Sequence, residues 1–111
     1  MLFKSKWGNE YEIRFIATEY IDGNTAVLVE SVEPDIGCWE PYGNATVNLG
    51  EPLLEGMAYL DTNNMQDMAD FMMMHGWCEP IGFGHSGFCT YPLVKFTDEF
   101  LNTICEKGDW E

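Results

Sequence analysis

The chain has 111 residues, which is enough for one domain of residues 1–111 and too short for a second catalytic domain. Its apolar share of 46% and aromatic share of 14% exclude a disordered acidic tail. The formal net charge of −14 argues against direct binding to nucleic acid or an anionic membrane, because both need Lys and Arg to displace counterions. Any charged partner should therefore be basic.

The first half of the chain predicts β-structure. Residues 10–21 alternate apolar and polar side chains with the period of two that is typical of a half-buried strand. Residues 22–24 mark a turn, and the β-branched run at 25–33 is expected to pair back as a hairpin. Shorter strands are predicted at 45–49 and 57–60, separated by a loop.

The second half predicts two helices with a strand at 88–96 between them. The first helix should run over 65–75 with Asn64 as its N-cap. The second should begin at Thr97 as N-cap and end at Gly108. This order predicts an α+β fold, with a mostly antiparallel sheet of about five strands and two helices on one face.

The acidic residues are concentrated in one long segment. Between Phe15 and Val94 there are twelve Asp and Glu residues and no Lys or Arg, and the basic residues lie only towards the two ends. Ordinary domains mix both signs, because a single-sign field destabilises the compact state. The segment is explained either by solubility or adaptation to salt, or by a surface that complements a basic groove.

The second explanation predicts a set of partner-binding residues. Carboxylates two apart on a strand or three apart on a helix stand about 5–7 Å from each other, a spacing comparable with phosphates along a nucleic acid. Trp39 lies in a loop-like segment beside acidic residues and is a candidate apolar anchor. The predicted partner-binding residues are Glu30, Glu33, Asp35, Trp39, Glu40, Asp67 and Asp70.

The N-terminal ten residues have no apolar signal region and no segment is apolar enough to span a membrane, so a cytoplasmic location is expected. The four cysteines are then expected to stay reduced.

Two histidines and two cysteines are weak candidates for a zinc site or a thiol enzyme, because tetrahedral zinc takes four such ligands. They are His75, Cys78, His85 and Cys89. We expect no metal and no cofactor, and this small enzyme remains the alternative function.

Two glycine-containing motifs overlap in residues 82–88. Gly82, Gly84 and Gly87 match the dinucleotide-binding pattern, but a strand is expected after them where the pattern requires a helix. The segment from Gly84 to Phe88 falls one glycine short of a nucleophile elbow. We therefore interpret these residues as a turn before a strand.

Five of the seven methionines lie between Met65 and Met74. Flexible thioethers suit an adaptable interface as well as an irregular core. Core filling is the first interpretation of this cluster. The second is an acidic structural or regulatory module that self-associates through this helix, which leaves the oligomeric state open.

Three stretches carry a family resemblance: ATVNLGEPLLEGMAYLDTNN at 45–64, HGW at 75–77 and SGFCTYPLVKF at 86–96. With them the chain resembles a family of small acidic proteins of unknown function from bacterial mobile elements. Val94 and Lys95 stand where that family usually has an aromatic and one variable residue. The resemblance implies a neighbourhood of anti-CRISPR and anti-restriction proteins, and it implies no catalytic residue.

Charge and resemblance together predict a non-enzymatic inhibitor. The protein is expected to bind the basic nucleic-acid groove of a bacterial defence nuclease such as Cas9 and to compete there with guide RNA or DNA. Association of this kind is fast and sensitive to salt.

Overall fold

A computed structural model describes residues 1–5, 7–32 and 37–107. It contains strands, one α-helix and a short π-helical segment. The strands are β1 (Leu2–Lys4), β2 (Glu10–Glu19), β3 (Thr25–Val32), β4 (Trp39–Asn44), β5 (Thr46–Val47), β6 (Met57–Leu60), β7 (Cys78–Ser86), β8 (Cys89–Phe96) and β9 (Glu106–Lys107). The α-helix is α1 (Gln66–Met74), and the π-helical segment is Phe100–Ile104.

The strands form two sheets. In the first sheet β1, β2, β3 and β4 pair in that order and antiparallel, and β9 pairs parallel with β2. In the second sheet the order is β5, β6, β8, β7, again antiparallel. The α+β class is confirmed, whereas the prediction of a single sheet of about five strands is wrong.

The chain changes from the first sheet to the second at Ala45. The Ala45 N–H donates to the carbonyl of Val27 at 2.9 Å, and the Ala45 carbonyl accepts from the N–H of Asp61 at 2.9 Å. The buried Thr46 hydroxyl accepts from the Val27 N–H at 3.2 Å. One short segment therefore links the two sheets, and of the strand predicted at 45–49 only Thr46 and Val47 form a strand, in the second sheet.

The core lies between the two sheets and is completed by α1 and the π-helical segment. Its centre is aromatic: Phe100 has a fully buried ring that stacks on Trp77 and Phe96, with centroids 5.4 and 5.2 Å away. Met68, Ala69 and Met72 contribute the buried face of α1. Other core residues are Phe3, Ile13, Phe15, Val27, Val29, Ala45, Ala58, Leu60, Cys78, Val94, Phe96 and Cys105.

The predicted hairpin at 10–33, the strand at 57–60 and the first helix are confirmed, but the cap of that helix is not. Asn64 makes no capping hydrogen bond; its own N–H donates to Asp61 Oδ1 at 3.2 Å. At the second helix the predicted Thr97 cap is confirmed, since Thr97 Oγ1 accepts the Phe100 N–H at 3.1 Å. This helix ends at Ile104 and not at Gly108, because the chain then turns into β9 beside β2.

The sequence patterns did not predict the short strands β1 and β9 or the longer strands β4 and β7. Strands β4 and β7 each contain a proline and a glycine, Pro41 with Gly43 and Pro80 with Gly82, which are signals against a strand. Both strands are the last members of their sheets, and an edge position tolerates a proline because its missing N–H is not needed for pairing. No helix in the described part of the chain is long and apolar enough to cross a membrane.

Candidate protein-binding surfaces

Glu30 and Trp39 lie together on the face of the first sheet that points away from the core. Glu30 Oε1 accepts from Arg14 Nε at 2.7 Å. The Arg14 Cζ atom lies 4.3 Å from the centre of the Trp39 ring, and Arg14 Nη1 also lies 3.3 Å from a carboxylate oxygen of Glu106. Trp39 remains 36% exposed, so part of its ring is open to a partner, while the charge of Glu30 is partly neutralised within the protein.

Glu40, Asp67 and Asp70 lie on the other side of β4. Glu40 is exposed, and because it follows Trp39 directly in β4, its side chain points to the opposite face of the sheet. Asp67, in α1, is close enough to Tyr42 of β4 to affect its ionisation: burial raises the pKa of Tyr42, and the negative charge of Asp67 raises it further. Asp70 follows on the exposed surface of α1, where it accepts from Gln66 Nε2 at 2.9 Å. We call these three residues the β4 margin; Glu40 and Asp70 are exposed and Asp67 is half-buried.

The predicted binding residues therefore do not form one continuous face. Glu30 and Trp39 belong to the outer surface of the first sheet, whereas the β4 margin belongs to the side on which α1 packs. Strand β4 separates the two groups. Glu33 and Asp35 lie outside the described residues.

A second acidic surface was not predicted from the sequence. Three adjoining cavities of about 410, 370 and 240 Å³ form a cleft at the end of the molecule where β2 ends and β7 begins. Its charged lining residues are Glu19, Glu55, Glu79, Asp98 and Lys95. We call this feature the end cleft. No sequence pattern indicated it, because these side chains come from four separate segments of the chain.

Few of these carboxylates are neutralised inside the molecule. In the described ranges, ion pairs join Glu12 to the N-terminal amino group and join Glu30 and Glu106 to Arg14. The carboxylates of Glu40, Asp70 and the end cleft form no such pair with a described cation. The acidic surface therefore remains available to an external cation.

The glycine motif belongs to a hairpin and not to a phosphate-binding loop. Gly87 has φ of +61° and precedes Phe88 in the two-residue connection between β7 and β8, as a type II′ turn requires. Gly84 lies under the Tyr59 ring, where an added Cβ would come within 2.4 Å of the ring and 2.8 Å of Leu49. The prediction of a turn is confirmed for Gly87, but Gly82 and Gly84 lie within β7.

The four candidate zinc ligands are not brought together. Cys78 is buried at the start of β7, and His85 lies seven residues further along it, roughly 20 Å away at the usual rise of a strand. The side chain of Cys89 points to the opposite face of the hairpin from that of His85. The His75 ring instead stacks on Trp77, with centroids 4.4 Å apart. No three His, Cys, Asp or Glu side chains among the described residues are placed to hold a metal ion.

The buried cysteines are poor nucleophiles. Burial raises the pKa of Cys78 to about 11 and that of Cys105 to about 12. Both thiols stay protonated at neutral pH, and the thiolate is the reactive form. Cys38 is exposed and Cys89 is half-buried.

The methionine cluster mainly fills the core. Met68 and Met72 are fully buried, and Met65 and Met73 pack against the core cluster. Of these five methionines, only Met74 is largely exposed, at 87%. The helix therefore does not offer a methionine-rich surface for self-association.

The family model for a domain of unknown function, DUF4313, matches residues 16–109. The chain belongs to this family, and the match extends beyond the region 45–96 in which the motifs lie. No curated protein and no solved structure was found to match the chain.

Proposed function

We propose that this member of the DUF4313 family is a binding protein that occupies the basic nucleic-acid groove of another protein and competes with RNA or DNA there. One observation carries the proposal: twelve Asp and Glu residues and no Lys or Arg lie between Phe15 and Val94, and the exposed carboxylates of Glu40 and Asp70 form no ion pair with a described cation. Mutual repulsion among so many like charges destabilises the folded protein, and binding to a basic partner would relieve that repulsion.

The partner that we propose is a bacterial defence nuclease, with Cas9 or a restriction enzyme as the first ones to test. Such enzymes hold a polyanion in a groove lined with Lys and Arg. The choice of nuclease rests on the resemblance to proteins of mobile elements, and the requirement for a basic groove rests on charge.

The β4 margin is the surface that we assign to the contact. Glu40 and Asp70 present exposed carboxylates from two different elements, so they can reach phosphate-binding side chains on both walls of a groove. Trp39, at the neighbouring surface, adds a partly exposed aromatic ring of the kind that anchors protein interfaces.

The test is a competition experiment. Purified protein is titrated into a complex of Cas9 with fluorescently labelled guide RNA, and separately into a restriction enzyme with labelled DNA, at low and at physiological salt. We expect displacement of the nucleic acid, and we expect the protein needed for half displacement to rise steeply with salt.

Two matched double variants locate the contact. Glu40→Gln with Asp70→Asn removes two charges from the β4 margin, and Glu19→Gln with Glu55→Gln removes two charges from the part of the end cleft beside β2. We expect the first to weaken competition about fivefold and the second to weaken it less than about twofold. Equal effects would contradict the assigned surface, and failure to displace nucleic acid from either enzyme would contradict the proposed partner.

A further inference from the structure

The hairpin formed by β7 and β8 exposes large apolar side chains. Ile81 is 48% exposed, Phe83 is 72% exposed and Phe88, in the connecting turn, is fully exposed. Hairpin turns are usually polar. Three apolar side chains on one hairpin therefore form a surface that a partner can cover.

The same hairpin ends in an open strand edge. Strand β7 is the last strand of the second sheet, and in the described structure it pairs with β8 alone. The register is irregular between Pro80 and Gly82, but it continues without interruption from Gly82 to Ser86. These five residues match a typical strand length and leave backbone groups free on their outer side.

We propose that an extended segment of a basic partner protein adds to β7 as an antiparallel strand. Antiparallel pairing is the arrangement found throughout the second sheet, and it is slightly more stable per residue than parallel pairing. Backbone hydrogen bonds would supply affinity, and the exposed phenylalanines would select apolar side chains.

The charges around β7 indicate which end of the added partner strand should be basic. Strand β7 begins at the end cleft, where the carboxylates of Glu79 and Asp98 outnumber the one lining cation, Lys95, and it ends at the apolar turn. An antiparallel segment would therefore carry apolar residues in its N-terminal half and Lys or Arg in its C-terminal half. A second copy of this chain fits poorly, because each copy has a net charge of −14.

The inference rests on the proposed function only in taking the partner to be basic, and it is tested without a nuclease. The probe is a synthetic peptide that alternates valine and threonine and ends in three lysines. Its controls are the peptide of reversed order, the peptide with glutamate in place of lysine, and the peptide N-methylated at alternate residues, which cannot complete the ladder of hydrogen bonds. Binding is followed by NMR amide shifts on the full chain.

We expect the lysine peptide to shift the amides of Gly82–Ser86 and to bind at least about tenfold more tightly than each control peptide. Phe83→Ser combined with Phe88→Ser should weaken binding about tenfold. Ile21→Ser removes an equally exposed apolar side chain from the turn between β2 and β3 and should leave binding unchanged.

Three outcomes would overturn the inference: no binding at millimolar peptide, amide shifts that map to the β4 margin, or concentration-dependent dimers in which β7 becomes protected. The two proposals fail separately. Peptide binding without nuclease competition would remove the proposed function alone, and competition that persists in the Phe83→Ser and Phe88→Ser variant without peptide binding would remove strand addition alone.

Discussion

At the scale of single residues, Gly84 shows how an absent side chain decides a sheet's packing. Tyr59 and Leu49 lie directly over its backbone, and Tyr59 is only 4% exposed. The φ angle of Gly84 is not in the left-handed region, so the glycine is needed for space and not for conformation. A motif that suggests phosphate binding is therefore accounted for by an aromatic contact.

Gly84→Ala should lower the free energy of unfolding by about 1–3 kcal/mol, because the added methyl group overlaps with the Tyr59 ring. Gly82→Ala, two residues away in the same strand, is the matched control. An added Cβ there would lie 3.8 Å from its nearest neighbour, so the change should stay within about 0.5 kcal/mol or stabilise slightly. Urea unfolding of both variants measures the difference, and equal values would contradict this account of Gly84.

At the scale of elements, the two helical segments begin in different ways. The π-helical segment is preceded by a side-chain cap from Thr97, whereas α1 begins after a turn in which Asp61 accepts from the backbone of Asn64. Asn and Thr are both good capping residues, so composition alone does not distinguish them. The difference is that the Thr97 hydroxyl oxygen accepts a hydrogen bond from a free N–H at the start of its helix, whereas the Asn64 side-chain oxygen does not.

Thr97→Ala should therefore destabilise the protein by about 1 kcal/mol through loss of the hydrogen bond to the Phe100 N–H. Asn64→Ala should change stability by less than about 0.5 kcal/mol, because this exposed side chain caps nothing. Thermal unfolding of the two variants under identical conditions gives the comparison. A larger loss for Asn64→Ala would restore Asn64 as the cap of α1.

The elements with strong local periodicity could be predicted from the sequence, and the edge strands could not. The hairpin of β2 and β3 alternates regularly and follows a clear turn, so local signals suffice. Strands β4 and β7 contain Pro41 and Pro80, and they form because a neighbouring strand offers an edge. The end cleft could not be predicted either, because it is formed by segments that are distant in the sequence and come together only in the folded protein.

At the scale of the whole molecule, charge opposes folding. The net charge is −14, and among the described carboxylates the ion pairs found involve Glu12, Glu30 and Glu106. Self-repulsion in the compact state is greater than in the expanded chain. Salt should therefore stabilise the fold while it weakens the proposed association.

Raising the ionic strength from about 0.01 M to 0.15 M shortens the Debye length from roughly 30 Å to 8 Å. We expect this to stabilise the fold by about 1 kcal/mol, which corresponds to a rise in Tm of roughly 4–8 °C. The variant with Glu40→Gln and Asp70→Asn has two fewer charges and should respond less. A Tm that falls with salt would show instead that the Arg14 ion pairs dominate the electrostatic balance.

The crossing of the chain at Ala45 has a consequence for how the molecule comes apart. The N–H of this residue is bonded to β3 of one sheet and its carbonyl to the segment after β6 of the other, while Thr46 adds a third link. Separating the two sheets here must break either the two bonds to Val27 of β3 or the bond from Asp61 and the β5 pairing with β6. Ala45 thus holds the two sheets together, and deuterium exchange of its amide would report how often the segment separates from β3, while exchange of the Asp61 amide would report separation from the second sheet.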